Sequence, residues 1–118
     1  MSTLKVNTLE EATAGGATYF TAKAWVNFNG QSTVSIRDSG NVSSITDLGT
    51  GDFRINFTNL YSNASFAASG SSANTVGSSD SFANAYSFAT SSVAVGINNI
   101  LGELTDRTYQ TVTTVGNQ

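Results

Sequence analysis

Two residue types that most enzyme active sites use are missing from this chain of 118 residues, because it contains no cysteine and no histidine. Without cysteine there is no disulfide framework, thiolate metal site or cysteine nucleophile. Without histidine there is neither the usual acid–base group at neutral pH nor an imidazole metal ligand. The serines have only Lys5 or Lys23 as a possible base, and nothing nearby in the sequence supports that pairing. We predict that the protein is not an enzyme and holds no metal or cofactor.

Charge is also scarce, since charged residues make up 11% of the chain and the formal net charge is −3. The five basic residues are scattered along the sequence, whereas binding to a phosphate backbone needs clustered cations. Nucleic acid is therefore not an expected partner. No apolar run of roughly 18 residues is present, so membrane insertion is not expected either. Met1 to Glu11 lacks the layout of a signal peptide, which predicts synthesis in a cytosol without export.

The surface that remains must consist mainly of Ser, Thr, Asn and Gly. Such uncharged side chains repel each other little, which favours close packing against copies of the same chain or against other subunits. The length is that of a single domain, and the hydrophobic fraction of 39% is enough for a packed core.

One acidic pair needs separate consideration, because two carboxylates can hydrolyse a glycosidic bond. Asp47 and Asp52 flank the glycine-rich segment Gly49-Thr50-Gly51, which also has the oxygen-rich character of some calcium loops without their spacing. Acids around a hairpin turn are far more often solvated than catalytic. We therefore interpret this segment as a turn.

Alternation of apolar and polar residues predicts a succession of β-strands. It is clearest in Ala17 to Asn29, and Asn29-Gly30 is a favoured pair for a hairpin turn into the next strand. The other predicted strands are Thr33 to Asp38, Val42 to Leu48 with a bulge or a bend, Phe53 to Phe57, Ala64 to Gly70, Ala85 to Ile97 and Thr108 to Val115. Ser71 to Asn84 is predicted to be a long loop. The expected core includes Phe28, Val34, Ile36, Phe53, Ile55 and Phe57.

These strands predict an all-β fold, either an antiparallel β-sandwich or a jelly-roll-like barrel of about seven or eight strands. We expect residues 1–16 to form a short N-terminal arm and residues 17–118 to form the β-sandwich body. The arm carries Leu4, Val6 and Leu9, which are too few to form a core, and Gly15-Gly16 separates it from the body. An edge strand is the alternative for this segment. If it is an arm, it should become ordered by docking onto another subunit.

Trp25 is the most informative single residue. In the alternating strand it lies on the face of Lys23 and Asn27, together with Tyr19 and opposite Val26 and Phe28. If that face is solvent-exposed, the two aromatic residues mark an interaction site. The alternatives are a buried subunit contact, which we favour, and a platform for stacking on sugars.

A resemblance to a known family rests on long stretches of the chain. They are Lys23-Ala24-Trp25-Val26-Asn27-Phe28-Asn29-Gly30, Thr33-Val34-Ser35-Ile36-Arg37, Asn41 to Asp47, and Gly49 to Phe57. Together they resemble tail-fibre-like and related virion structural proteins of tailed phages, especially cyanobacterial phages. The resemblance implies a homotrimer located in the virion, with a role in assembly or in host-surface contact.

The expected function is thus a bacteriophage virion structural protein, a small fibre or tail-fibre-like component in contact with other capsid or tail proteins. One alternative is a capsid decoration protein, such as a head fibre or cement protein. Another is a receptor-binding module that binds a host cell-surface glycan through Trp25, Tyr61 and Tyr86. The predicted contact residues are Leu4, Val6, Leu9, Tyr19, Trp25, Tyr61 and Tyr86.

Overall fold

A computed structural model describes residues 3, 5, 22–74 and 81–116. Within these residues the chain forms eight β-strands and no helix. The strands are β1 (Ala24–Asn29), β2 (Ser35–Gly40), β3 (Val42–Gly49), β4 (Asp52–Phe57), β5 (Ala67–Ala73), β6 (Ser81–Ala89), β7 (Ser92–Asn99) and β8 (Tyr109–Val115). Most of the predicted arm, residues 1–16, lies outside the described residues.

The strands form two antiparallel sheets of four strands each, packed as a sandwich. Sheet I has the order β2-β1-β8-β5, and sheet II has the order β3-β4-β7-β6. The prediction of an all-β fold is confirmed, and of its two alternatives the sandwich is the correct one. Along one side of the sandwich, edge strands β5 and β6 meet, and the hydroxyl groups of Ser72 and Ser81 are 2.8 Å apart.

A single residue, Asn41, connects the sheets on the other side, between the end of β2 and the start of β3. Its φ of 56° is in the left-handed region, which asparagine tolerates better than most residues. Its side-chain amide donates to the carbonyl oxygens of Lys23 and Asn59, and its side-chain oxygen accepts from the Asn59 backbone amide. These bonds fix the chain where it passes from one sheet to the other.

The core lies between the sheets and follows the alternation in the sequence. Phe53, Ile55 and Phe57 of β4 are buried, as are Ala24, Val26 and Phe28 of β1. Phe28 and Phe53 meet edge to face with ring centroids 5.3 Å apart, so they connect the two sheets directly. Burial of each such side chain contributes about 1.5–3 kcal/mol to stability.

An aromatic cluster fills the other end of the core. Tyr61 stacks on Phe66 with centroids 4.3 Å apart, and Phe57 packs edge-on against both rings. Only 3% of the Tyr61 surface is exposed, and its hydroxyl group hydrogen-bonds to that of Thr114. The prediction that Tyr61 stacks on sugars at the surface is therefore wrong, because the ring is part of the core.

Four details of the strand prediction are also wrong. Residues 85–97 are not one strand, because the chain reverses at Thr90 and Ser91 between β6 and β7. The predicted loop of residues 71–84 contributes its first residues to β5 and its last to β6. The connection after Asn29 is five residues long rather than a two-residue turn.

The fourth error concerns Ile36, which is 38% exposed rather than buried. It belongs to edge strand β2, where the pairing with β1 shifts between Asn27 and Phe28. Arg37 is the extra residue at this irregularity, since Asn27 pairs with Asp38 and Phe28 pairs with Ile36. Val34 does pack against the core, although it is only partly buried.

Candidate functional site

The outer faces of the two sheets carry the predicted contact residues that the structure describes at the surface. Trp25 lies on the outer face of sheet I and Tyr86 on the outer face of sheet II, with exposed fractions of 41% and 43%. The two residues are therefore on opposite sides of the sandwich and do not form one site. The remaining predicted contacts, apart from buried Tyr61, lie outside the described residues: Leu4, Val6, Leu9 and Tyr19.

Three adjacent strands of sheet I, β1, β8 and β5, contain no charged residue. Val112 and Thr114 of β8 point into the core, so the alternate residues of that strand point outward. Cross-strand pairing then places their partners on the same outer face. We call the following set the sheet I face: Trp25, Asn27, Ala67, Ser69, Ser71, Ala73, Tyr109, Thr111, Thr113 and Val115. It combines small uncharged side chains with two large aromatic ones.

Trp25 lies directly on the backbone of its cross-strand neighbour Gly40. A methyl group built on Gly40 would be 2.3 Å from the Trp25 Nε1 atom, so the indole occupies the space that a side chain would fill. Close cover of a strand glycine by an aromatic ring is a known way to stabilise such a position. Trp25 therefore has a structural contact within the chain and still presents much of its ring to solvent.

Three charged residues lie at the margin of the sheet I face: Lys23 directly before β1, and Arg37 and Asp38 on β2. The charge of Arg37 is held by local contacts. Its guanidinium carbon lies 4.3 Å from the centre of the Tyr109 ring. Its nitrogen atoms donate to the side-chain oxygen of Asn27, at 3.2 Å, and to the carbonyl oxygen of Thr108, at 2.6 Å. These contacts hold the cation at the periphery, away from the uncharged centre around Thr113.

The outer face of sheet II is different, because polar and charged side chains surround an aromatic ring there. The Tyr86 hydroxyl group donates a hydrogen bond to the Asp52 carboxylate. Tyr86 is on β6 and Asp52 is on β4, and β7 runs between those strands. The Tyr86 side chain must therefore reach across the whole width of β7.

Neighbouring positions complete this surface. Asn84 pairs across the sheet with Gly96, and its side-chain amide donates to the Asn98 side-chain oxygen at 2.9 Å. Arg54 lies two residues after Asp52 on β4 and pairs with Ala94. Exposed Phe82 and Leu104 both pair with Asn98, one on each side of β7, and form the apolar end of this face. We call Tyr86, Asp52, Arg54, Asn84 and Asn98 the Tyr86 platform.

Electrostatics keep the Tyr86 phenol neutral. The hydrogen bond to Asp52 raises the pKa of Tyr86 above its usual value of 10.0, with smaller contributions from burial and from the Asp52 charge. Arg54 acts in the opposite direction. The raised pKa means that the phenol stays protonated, and able to donate to Asp52, to a higher pH than an isolated tyrosine.

A third exposed feature is the turn after β7, where Ile100 and Leu101 point away from the body. Leu101 is 77% exposed. The turn is held by Asn99, whose side-chain oxygen accepts from the backbone amides of Leu101 and Glu103. This apolar turn was not predicted from the sequence, although two large aliphatic residues directly before Gly102 are a signal for it.

The acidic pair considered above has structural partners. The Asp47 side chain accepts from the Gly49 amide at 3.0 Å within the turn, and Asp52 accepts from Tyr86. Among the described residues no group of three or more acidic side chains is placed to hold a metal ion. The same part of the chain contains no helix that is long and apolar enough to cross a membrane.

Two functional candidates were also missed on the outer faces. Tyr109 was assigned to a strand, but its position on the same face as Trp25 depends on β1 and β8 being neighbours. Asp52 was interpreted as a turn acid because its partner Tyr86 is 34 residues away in the sequence. Neither relation can be derived from local alternation.

Comparison with known proteins adds no relative. No protein-family model, curated protein or solved structure matches this chain.

Proposed function

We propose that this protein is a structural subunit of a bacteriophage virion and that it assembles with copies of itself through the sheet I face. Its role is to make contacts rather than to catalyse a reaction. The phage assignment follows the resemblance of most of residues 23–70 to virion proteins, and the homotrimer follows the same resemblance. The structure of sheet I supports the choice of this face as the assembly surface.

The observation that carries the proposal is the lack of charge on three adjacent strands of sheet I. The cores of protein interfaces are depleted in charged residues and enriched in aromatic ones. The sheet I face has both properties, since Trp25 and Tyr109 are each 41% exposed. Covering the exposed part of one such ring removes on the order of 100 Å² from water, which corresponds to about 2–3 kcal/mol.

The decisive variant for the assembly surface is Thr113→Arg. Thr113 lies in the middle of the face, paired with Trp25 on one side and with Ser69 on the other. An arginine buried there without a partner costs several kcal/mol per contact, which should separate the subunits. Thr50→Arg is the matched control, because Thr50 is exposed in the turn between β3 and β4.

Analytical ultracentrifugation should give an oligomer for the wild type and for Thr50→Arg, and a folded monomer for Thr113→Arg. An unchanged oligomer in Thr113→Arg would show that the sheet I face is not the contact surface. Immunogold labelling of purified phage particles with antibodies to this chain tests the virion role. Label on heads or tails supports it, whereas chain that is abundant in the lysate and absent from particles contradicts it.

A further inference from the structure

We propose that the side of the sandwich between edge strands β2 and β3 receives the N-terminal segment, Leu4 to Leu9, of a neighbouring copy of the chain. We call this side the open side and define it by Val34, Ile36 and Ile45. The inference rests on the proposed assembly into an oligomer and names a second contact within it, away from the sheet I face.

The opposite side of the sandwich, where β5 and β6 meet, is joined by a hydrogen bond between the Ser72 and Ser81 hydroxyl groups. The strands β2 and β3 are the end strands of different sheets and do not pair with each other. They are connected through Asn41. The two long sides of the sandwich are therefore closed to different extents.

Burial along β2 and β3 shows where the open side begins. Next to Asn41, Val42 is buried and Gly40 is half-buried. Further from Asn41, every residue of Ser35 to Asp38 and of Thr46 to Gly49 is exposed. The two edge strands thus cover each other near Asn41 and leave each other uncovered beyond it.

The uncovered part contains apolar side chains that point inward. Ile36 pairs with buried Phe28, and Ile45 pairs with buried Ile55. Residues paired across two strands lie on the same face of the sheet, so both isoleucines are directed between the sheets. Ile36 is nevertheless 38% exposed, and Val34 and Ile45 are only partly buried. Further apolar side chains can therefore extend the core at this side.

Strand β3 can also supply backbone hydrogen bonds to an added strand. It pairs only with β4, and its central residues Ser44 to Asp47 pair without interruption. An edge strand of this kind directs alternate backbone N–H and C=O groups outward, where another chain can pair with them. The ladder of β2 is interrupted beside Arg37. The geometry therefore favours addition to β3.

The N-terminal segment has the pattern that such a site requires. In an extended chain Leu4 and Val6 lie on one side and Lys5 lies on the other. Pairing with β3 would direct the two apolar side chains towards Ile36 and Ile45 and leave the lysine in water. The segment therefore gains apolar burial and backbone hydrogen bonds from the same contact.

The position at which the chain enters the body favours this site. The Asn41 side-chain amide donates to the carbonyl oxygen of Lys23 at 3.0 Å, so the chain enters β1 beside the residue where the open side begins. The residues between Leu9 and Ala24 span at most about 50 Å when extended, which is enough to reach a copy that touches the body. Thr3 and Lys5 are exposed and belong to no strand of their own chain, which favours a neighbouring copy as the acceptor.

The test is chemical cross-linking between copies, because a chain without cysteine reports cleanly on introduced thiols. Val6→Cys is co-expressed with Ile36→Cys, and a C-terminal tag on one chain gives the mixed product its own mass. The purified oligomer is treated with bismaleimidoethane, which joins two nearby thiols. In the matched control, Phe82→Cys replaces Ile36→Cys, since Phe82 is 53% exposed on β6, at the opposite edge of sheet II. The mixed product should be several-fold more abundant with Ile36→Cys.

A second pair of variants separates apolar docking from chance proximity. Leu4→Asp in the Val6→Cys chain puts a charge on the inward side of the segment and should reduce the mixed product several-fold. Asn7→Asp adds the same charge on the other side and should leave the product unchanged. Both substitutions precede the body that contains the core.

Three results would overturn the proposal: an oligomer that gives no mixed product, equal product with Phe82→Cys, or product that is insensitive to Leu4→Asp. Light scattering without the cross-linker distinguishes these failures from a failure of the proposed assembly. If only the segment contact is wrong, the wild type remains an oligomer. If the wild type is a monomer, the proposed assembly and the segment contact are both wrong.

Discussion

Replacement of Gly51 by alanine is expected to destabilise the fold strongly, because this glycine connects two turns. Its carbonyl oxygen accepts from the Ile97 amide at 2.7 Å, and its own amide donates to the Asp106 side chain at 2.6 Å. Its φ of 64° is in the left-handed region. A methyl group there would lie 2.4 Å from the Thr105 nitrogen and 2.7 Å from its carbonyl oxygen.

The magnitude follows from these contacts. Left-handed backbone costs a residue with a side chain about 1–2 kcal/mol. The backbone must also shift to relieve the clash, which weakens one neutral and one charge-assisted hydrogen bond, worth about 1 and about 2 kcal/mol. The expected loss in unfolding free energy is therefore about 3–5 kcal/mol.

Gly102→Ala is the matched control, because Gly102 has a φ of 81° but no atom within 4 Å of a built methyl group. It should lose only the backbone contribution, about 1–2 kcal/mol. Urea unfolding followed by circular dichroism measures both variants. Equal losses would refute the reasoning, since they would mean that the contacts of Gly51 with Thr105 and Ile97 contribute nothing.

Three further perturbations test the core, the sheet connection and the buried phenol. Phe57→Ala should lower the unfolding free energy by about 3–5 kcal/mol in urea unfolding, and a loss under about 1 kcal/mol would contradict its place in the aromatic cluster. Asn41→Ala should cost about 2–4 kcal/mol, because three hydrogen bonds between chain segments are lost. Burial raises the pKa of the Tyr61 phenol above 10.0, against a smaller opposing effect of Thr114. The associated stability is present below pH 10.0 and lost as pH rises through the raised pKa, so urea unfolding of Tyr61→Phe should show a weaker alkaline loss than the wild type.

The parts of the fold that the sequence predicts are those where alternation coincides with a buried face. Phe53, Ile55 and Phe57 were assigned correctly because β4 is an inner strand of its sheet and every second residue faces the opposite sheet, where Phe53 meets Phe28. Val42 to Leu48 was expected to contain a bulge, and the pairing of β3 with β4 shifts at both ends of β3.

The errors arise at edge strands and at turns without a turn signal. β5 consists only of Ala, Ser and Gly, so it forms a strand because β8 pairs with it and not because of large apolar residues of its own. The turn at Thr90 and Ser91 contains no glycine, proline or asparagine. Ile36 pairs with buried Phe28 and lies on the inward side of the sheet, but β2 is an edge strand and leaves Ile36 38% exposed. Local alternation does not show which strand lies at the edge.

The residues of the candidate sites also divide into those that local alternation places correctly and those whose position depends on tertiary contacts. Local alternation was enough to put Trp25 on an outward face, and the structure places it there at 41% exposure. Whether Tyr61 or Tyr86 is exposed depends on tertiary contacts, with Thr114 in one case and Asp52 in the other. Two tyrosines of similar sequence context therefore have different environments, one in the core and one on a sheet surface.

The most direct test of the central claim, that the chain assembles through the sheet I face, is the mass of the purified protein in solution. Light scattering coupled to size-exclusion chromatography should give three times the mass of one chain, and Thr113→Arg should reduce it to the mass of one chain. A wild-type protein that remains a monomer at high concentration would contradict the account.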